Sequence, residues 1–423
     1  TGMYSRIRAS LTDDNRSEPI SHDTAEALYG ESMMASVSRF ESFNRCEFQH
    51  FSNYGLKLNV RQPFKVAPLD LGNLYHHVLE HVTRKLDFTF QHEDDHIASI
   101  IETAIDEEAA AIQHGIFNES FYNASLKRRA KDALERLIHF MRDIERLGEY
   151  KISRVEMSFG KEQDDLGEVR LTSNEGREIA LRGKVDRIDA YDAGGHSYVN
   201  LIDYKSSTRS ISRTGILNGL ELQMITYMHV LTEKGSTLFD GEIKPNSMLF
   251  FPVRDPVLSL KEEKDPEDII KEQNKQLKPD GAFINEHPSF NEYLDETSVG
   301  LSGLLSNLDD YTEYGEYYPI TVSQKGRINA RTKGRYFSPA LFRHYADYVM
   351  ELYRKVTDDI YSGANKVNPM ATNDVLPCSF CDFKFACRVD YLLNARDIRE
   401  NKMDDTEIEQ FESEVTGDGD MDG

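Results

Sequence analysis

The chain has 423 residues, of which 39% are hydrophobic and 10% aromatic, enough to bury a sizeable core and to exclude disorder throughout. Its 50 Lys and Arg against 73 Asp and Glu give a net charge of −23, which argues against a general nucleic-acid coat, because phosphate binding needs local positive charge. There is no run of about 18 apolar residues, no charged-then-apolar leader and only four cysteines, so the expectation is a cytoplasmic protein without a disulfide scaffold.

Residues 1–30 are polar and irregular. Thr1-Gly2-Met3 reads as a remnant ahead of an internal start, so the chain is expected to be a piece of a longer protein. One domain over 31–395 is expected to follow. Apolar residues become dense over 37–58, and helical periodicity runs over 71–88, 96–114 and 125–147, as in Leu134, Leu137, Ile138 and Met141. Residues 151–160 alternate like a strand. Residues 178–190 and 197–205 form a predicted hairpin split by Asp192-Ala193-Gly194-Gly195. A helix is expected at 219–234 and a buried strand at 247–253. The charged stretch 262–335 reads as a loop-rich insertion with one helix near 299–315, before a long helix at 338–361. The end, 396–423, reads as a disordered acidic tail. Two basic runs, Lys127-Arg128-Arg129-Ala130-Lys131 and 325–335, are either solvated faces or nucleic-acid contacts. No GxxxxGK[ST] sequence is present, so the chain has no P-loop for ATP.

The chemistry is densest in RGKVDRIDAYDAGGHSYVNLIDYKSS. If the chain reverses at Gly194-Gly195, Asp186 and Asp203 face one another across the hairpin, with Cβ atoms about 4.5–5.5 Å apart. Two carboxylates that close repel unless one is protonated or a cation bridges them. A hard ion such as Mg²⁺, or Mn²⁺, suits that geometry. Lys205 follows two residues after Asp203 and shares its strand face, where an ammonium can position water and stabilise a phosphorane-like transition state. The bland alternative is a solvent-facing hairpin with scattered charges. Val199, Leu201 and Ile202 count against it, since unpaired charge in an apolar strand is costly. Gln223 and Tyr227 are spaced i, i+4 on the next helix and are either strand contacts or ordinary packing.

Cys46 stands alone, and Cys378, Cys381 and Cys387 form a C-x₂-C-x₅-C triplet. Four thiolates suit tetrahedral zinc or an iron–sulfur cluster, although zinc sites more often use two close pairs.

Asp186 in GKVDRID, Asp203-Tyr204-Lys205 in LIDYKSS and Gln223-Met224-Ile225-Thr226-Tyr227, in this order, resemble the PD-(D/E)XK nucleases of the RecB type. Leu71 through Glu80 resembles the Gly-x-x-x-His-x-x-Leu-Glu helix of that group. The segments SVSRFE and RCEF, and the lone cysteine with its triplet, are similar to the C-terminal nuclease domain of RexB/AddB-type subunits and its iron–sulfur staple. In one departure, Cys46 is followed by Glu47 where that family often has proline. The resemblance implies an α/β fold with a mixed central sheet flanked by helices and closed by a 4Fe–4S cluster on the four cysteines. It further implies Mg²⁺ held by His76, Asp186, Asp203 and the Tyr204 carbonyl, with Lys205 orienting water and Gln223 and Tyr227 positioning the DNA strand. The implied activity is cleavage of single-stranded DNA, the 5′-ended strand, beside a RexA/AddA-type helicase–nuclease subunit that resects broken ends for recombination. Glu156 matches a glutamate of similar enzymes but receives no role. His77 and His81, also i, i+4, are either a second metal pair or partly exposed helix residues. The rival readings are an inactive scaffold that guides DNA and a free-standing exonuclease of the CRISPR-adaptation type.

Overall fold

The structure is a computed structural model, and it describes residues 2–4, 18–61, 64–258, 265–285, 299–308, 313–323, 334–389 and 397–416. In chain order, helix α1 (His22–Tyr29) leads into strand β1 (Met33–Ser36) and helix α2 (Val37–Arg45). Three long helices follow, α3 (Pro68–Lys85), α4 (Asp94–Ala111) and α5 (Phe121–Leu147). Strands β2 (Lys151–Phe159), β3 (Val169–Thr172), β4 (Glu178–Ala193) and β5 (His196–Lys205) come next. Then come helix α6 (Gln223–Lys234), strand β6 (Glu242–Pro252), helix α7 (Pro266–Leu277) and strands β7 (Asp280–Ile284) and β8 (Tyr336–Phe337). Helices α8 (Pro339–Tyr361) and α9 (Asp405–Thr416) lie toward the C-terminus, among shorter elements.

The sheet is mixed, in the order β1-β4-β5-β6-β7-β8, with β2 and β3 also paired to β4. Strand β4 changes partners along its length. Its first residues pair with β1 and β3, and its later ones with β2 and β5. The β4–β5 turn is two residues long, since Ala193 pairs with His196, and Gly194 and Gly195 both take positive φ, as such a tight hairpin requires. The ladder runs as far as Arg187 opposite Ile202. Asp186 and Asp203 are the next residues along, where the strands part. Strands β5 and β6 are parallel, joined by a crossover through α6.

Side-chain alternation sends Ile202 and Tyr204 to one face, against α3, α4 and α5, and Val199 and Leu201 to the other, against α2, α6 and α8. Each face therefore has its own apolar core, and the sheet is buried between two helical layers. This is the expected sandwich of helices around a mixed sheet.

Two stretches differ from the sequence reading. Within 262–335, β7 pairs antiparallel with β6, and Leu301, Leu304, Leu305, Tyr314 and Tyr318 belong to the core. The charged residues of that stretch hid a short apolar strand and scattered aromatic anchors. Residues 405–416 form helix α9, which is docked rather than solvated. Phe411 packs 4.2 Å from the His344 ring and 5.1 Å from that of Tyr345, and Tyr345 donates to Glu412 at 2.9 Å. Phe411 and Ile408 among many acids, with Glu412 paired to Arg213, carry that contact, so net charge concealed it. The basic run 325–335 lies outside the described residues except for Gly334 and Arg335, and Arg335 pairs with Asp280.

One charged pair is sealed in the core. Arg187 and Asp189, 4% and 7% exposed, form a bidentate bridge at 2.6 and 2.7 Å, and Arg187 also reaches the Tyr204 hydroxyl at 3.4 Å. Removing one partner strands the other charge, at a cost of about 3–5 kcal/mol, whereas apolar replacement of both is nearly neutral. Asp189→Ala is therefore expected to lower stability in urea melts by about that amount. The Arg187→Met, Asp189→Leu double variant should recover most of it. A double variant no more stable than the single one would refute this account.

Candidate active site

The site begins where β5 ends. Asp203 and Lys205 lie on the strand face shared with Val199 and Leu201, toward α6. The Lys205 ammonium sits 2.5 Å from Asp203 Oδ2 and donates to Gln223 Oε1 at 3.4 Å, while the Gln223 amide donates to Asp203 Oδ1 at 2.6 Å. Gln223 thus holds the acid and the lysine at once from the first turn of α6. Burial together with the charge of Asp186 pushes the Asp203 carboxyl up to about 6, with Lys205 and His76 opposing.

Asp186 reaches the same place from β4. Its Oδ2 accepts the Tyr204 backbone N–H at 2.8 Å and lies 3.2 Å from His76 Nδ1 on α3. Burial disfavours the charged form of His76, but the hydrogen bond and charge of Asp186 outweigh it, and its pKa is raised. Glu156 is the third member. It lies on β2 between Val155, which pairs with Arg187, and Met157, which pairs with Val185, and this sets it opposite Asp186. Its backbone takes φ +55°, a left-handed conformation that a non-glycine residue holds only under constraint. The Lys184 ammonium pairs with it. Burial raises its carboxyl above the ordinary range; Lys184 opposes and the charge of Asp186 adds.

His76, Glu156 and Asp186 each offer a ligand atom within 4.8 Å of the others. One imidazole and two carboxylates form a hard donor set suited to Mg²⁺ or Mn²⁺. The upward push that Asp186 exerts on both Glu156 and Asp203 is the repulsion a divalent ion would cancel. The residues present fit such an ion. Asp203 stands outside this trio, with its carboxylate engaged by Lys205 and Gln223. Tyr204 meets Asp186 through its amide N–H.

The other candidates divide. Tyr227 packs against Phe159, with ring centroids 5.5 Å apart, and lies beside Gly183, where a Cβ would come within 2.7 Å of its ring. Its hydroxyl is hydrogen-bonded at the Lys184 backbone, and burial raises its pKa, so it braces β4 next to Asp186. His77 and His81 face Glu108 at 3.1 Å and Glu107 at 4.0 Å, as surface helix residues do. In the basic run on α5, Lys127 and Lys131 are taken up by Asp106 and Glu102.

The four cysteines lie close to one another. Cys46, at the end of α2, and Cys378, Cys381 and Cys387 line one small cavity with Phe48 and Val367, and all four are free thiols. Burial raises the Cys378 thiol to about 11, and the other three sulfurs add to the shift. A bound metal reverses that effect, because a coordinating thiol is deprotonated outright. The donor set fits a four-thiolate centre.

One residue was missed by sequence reasoning. Glu41 on α2 accepts the Leu222 N–H at 2.9 Å and so holds the residue immediately before α6 and Gln223. Burial pushes its carboxyl up to about 7, against the Leu222 hydrogen bond and the positive charges of Arg45 and Lys205. It reads in sequence as an ordinary acid on an amphipathic helix, and no local signal marks its burial. An acid whose folded pKa is raised gives stability that is complete below the unfolded value and is lost as pH climbs to the folded one. Stability is expected to fall by roughly 3 kcal/mol between about pH 4.5 and 7 from this group, and Glu41→Gln should flatten that fall in pH-resolved urea melts. An unchanged slope would refute the assignment.

The family model for the PD-(D/E)XK nuclease superfamily matches residues 34–388. Among curated relatives, the B subunit of the ATP-dependent helicase/deoxyribonuclease of Staphylococcus epidermidis is 29% identical over 402 residues, covering 93% of this chain and 34% of that protein. That of Staphylococcus saprophyticus is 30% identical over 412 residues, with the same shares, and that of Listeria innocua is 26% identical over 416, covering 97% and 35%. The chain spans about a third of the length of these relatives. With the match reaching from β1 to the cysteine segment and the acids and lysine meeting at the hairpin, the chain belongs to the PD-(D/E)XK nuclease superfamily and is a metal-dependent nuclease of that kind.

Proposed function

We propose that this chain is the DNA-cutting domain of a helicase–nuclease complex, hydrolysing the 5′-ended single strand of an unwound duplex during repair of broken ends. The observation that carries the reading is the convergence of His76, Glu156 and Asp186 beside the Asp203–Lys205–Gln223 bridge. His76, Glu156 and Asp186, with Asp203 and the Tyr204 carbonyl at its edge, would hold the ion. A bound divalent ion supplies Lewis acidity and a water of lowered pKa. Lys205, fixed between Asp203 and Gln223, donates a hydrogen bond to the attacking water and to the charge that develops on the phosphoryl oxygens. Gln223 keeps the lysine from swinging away. The partner would be the helicase–nuclease subunit of the RexA/AddA type, in keeping with relatives that are themselves one subunit of a helicase/deoxyribonuclease.

The four-cysteine cavity is read as an iron–sulfur centre with a structural role. Cys46 and the triplet lie far apart in sequence, so bridging them closes most of the domain into one loop and constrains the unfolded chain by roughly 5 kcal/mol.

The nuclease reading is tested with end-labelled single-stranded DNA, Mg²⁺ and anaerobically purified protein. Wild type should cleave. Lys205→Ala should lose about a thousandfold in rate, and Glu156→Ala should need about 10–100-fold more Mg²⁺ for half-maximal activity. Labels on the 5′ and 3′ ends report polarity. Equal cleavage by wild type and Lys205→Ala would sink the assignment.

The cluster is tested by analysis of the same preparation for iron and acid-labile sulfide, with about four of each expected per chain. Cys381→Ser should lose the metal and melt roughly 5 °C lower. Zinc in place of iron would refute the iron–sulfur reading.

A further inference from the structure

A second cleft, of about 420 Å³, opens beside the catalytic residues, and the chemistry of the acids and lysine makes no use of it. Its walls include Tyr75, Tyr122, Arg129, Ser206, Arg254 and Asp255. Tyr75 is the chain neighbour of His76, and Ser206 is that of Lys205. Consecutive Cα atoms are about 3.8 Å apart, so the backbone of the cleft wall passes within one residue of the acid-and-lysine site at two points. Arg254 stands two residues beyond β6, whose Pro252 is in register with Lys205, and the Val253 N–H donates to the Lys205 carbonyl at 2.8 Å. The cleft therefore lies near the C-terminal end of β5, where Asp203 and Lys205 emerge.

Two guanidinium groups in the cleft are left without a carboxylate partner among the described residues. Arg129 is exposed and pairs with no carboxylate among the described residues, in contrast to Lys127 and Lys131 on the same helix. The Arg254 guanidinium is steered by neutral oxygens, the Gln276 carbonyl at 2.9 and 2.5 Å and the Thr208 hydroxyl at 3.4 Å, which orient it without cancelling its charge. Asp255 is matched by Arg136 at 3.6 Å. On the cleft wall at the start of α5, Tyr122 is 71% exposed, and its chain neighbour Phe121 is 97% exposed.

We propose that this cleft is a holding site for single-stranded DNA next to the cutting site, with Arg129 and Arg254 on phosphates and Tyr122 and Phe121 stacked on bases. Uncompensated guanidinium groups interleaved with open aromatic faces are the combination that grips a single strand without reading its sequence. The inference rests on the nuclease reading for its purpose, but its test does not.

Fluorescence anisotropy on a labelled mixed-sequence strand of about 15 nucleotides, with divalent ions chelated, measures binding without cleavage. Arg129→Glu should weaken binding by at least about tenfold and reduce the slope of log affinity against log salt by about 0.7. Tyr122→Ala should weaken it by about tenfold. Arg146→Glu, an exposed control farther along α5, should stay within about twofold of wild type. All three residues are exposed, and thermal melts confirm that each variant is folded. The proposal is overturned if Arg129→Glu and Tyr122→Ala bind like wild type, if Arg146→Glu weakens binding as much as Arg129→Glu, or if the cleft variants lose only attachment to a protein partner. A Lys205→Ala variant that fails to cut, with cleft variants that still bind, sinks the cleft and spares the nuclease. A wild type that needs the cleft for binding and cuts with no divalent ion tried does the reverse.

Discussion

A carboxylate cannot sit at the end of a buried strand without a compensating partner, and Asp203, 3% exposed, sits at the end of β5. Much of the local structure answers that constraint. Lys205 supplies the charge from the same strand face, and Gln223 supplies an amide hydrogen bond to the second oxygen. Gln223 is in place because α6 begins there, and α6 begins there with Glu41 accepting the Leu222 N–H. The acid is thus not a charge added to a finished scaffold. Its burial requires the lysine, the glutamine and the helix start.

The second constraint is the parting of β4 and β5. Opposed carboxylates within the ladder would repel at the closest side-chain approach in the sheet. Here the ladder ends one residue pair earlier, at Arg187 and Ile202, and the Tyr204 N–H turns to the Asp186 side chain. Each face of the sheet then contributes to the gap. His76 comes from α3 on one side and Gln223 from α6 on the other, with Glu156 brought in from β2 by its left-handed backbone. Strain at Glu156, on the order of 1–3 kcal/mol, is tolerated because β2 is paired on either side of it, through Val155 and Met157. It sets a third ligand atom beside the Asp186 carboxylate.

The hairpin was legible because its signals are local. Two glycines fix the turn, strict alternation fixes the faces, and together they fix which residues meet. The cysteine cluster was legible for another reason, that three thiols in ten residues with a fourth elsewhere have few other uses. The role of Glu156 and the burial of Glu41 were opaque because both depend on long-range contacts. A glutamate in KISRVEMSF gives no hint of positive φ, and Glu41 looks like any polar position on an amphipathic helix. Strand β7 was obscured by its brevity and its charged flanks. Helix α9 was obscured because Phe411, with Ile408, outweighs its acids once it meets the His344, Tyr345 and Tyr348 rings.

Helix α2 joins the two centres. Glu41 and Cys46 are five residues apart, about 7.5 Å along a helix axis, so one short element touches the start of α6 at one end and the thiol cavity at the other. The end near Cys46 is pinned further by Arg399, which donates to the Asn44 carbonyl at 2.5 Å and to that of Asn368 at 3.0 Å. Any metal that draws Cys46 against the triplet therefore stiffens the same helix whose Glu41 sets the start of α6 and the position of Gln223. The thiol cavity and the start of α6 are thus joined through one short helix.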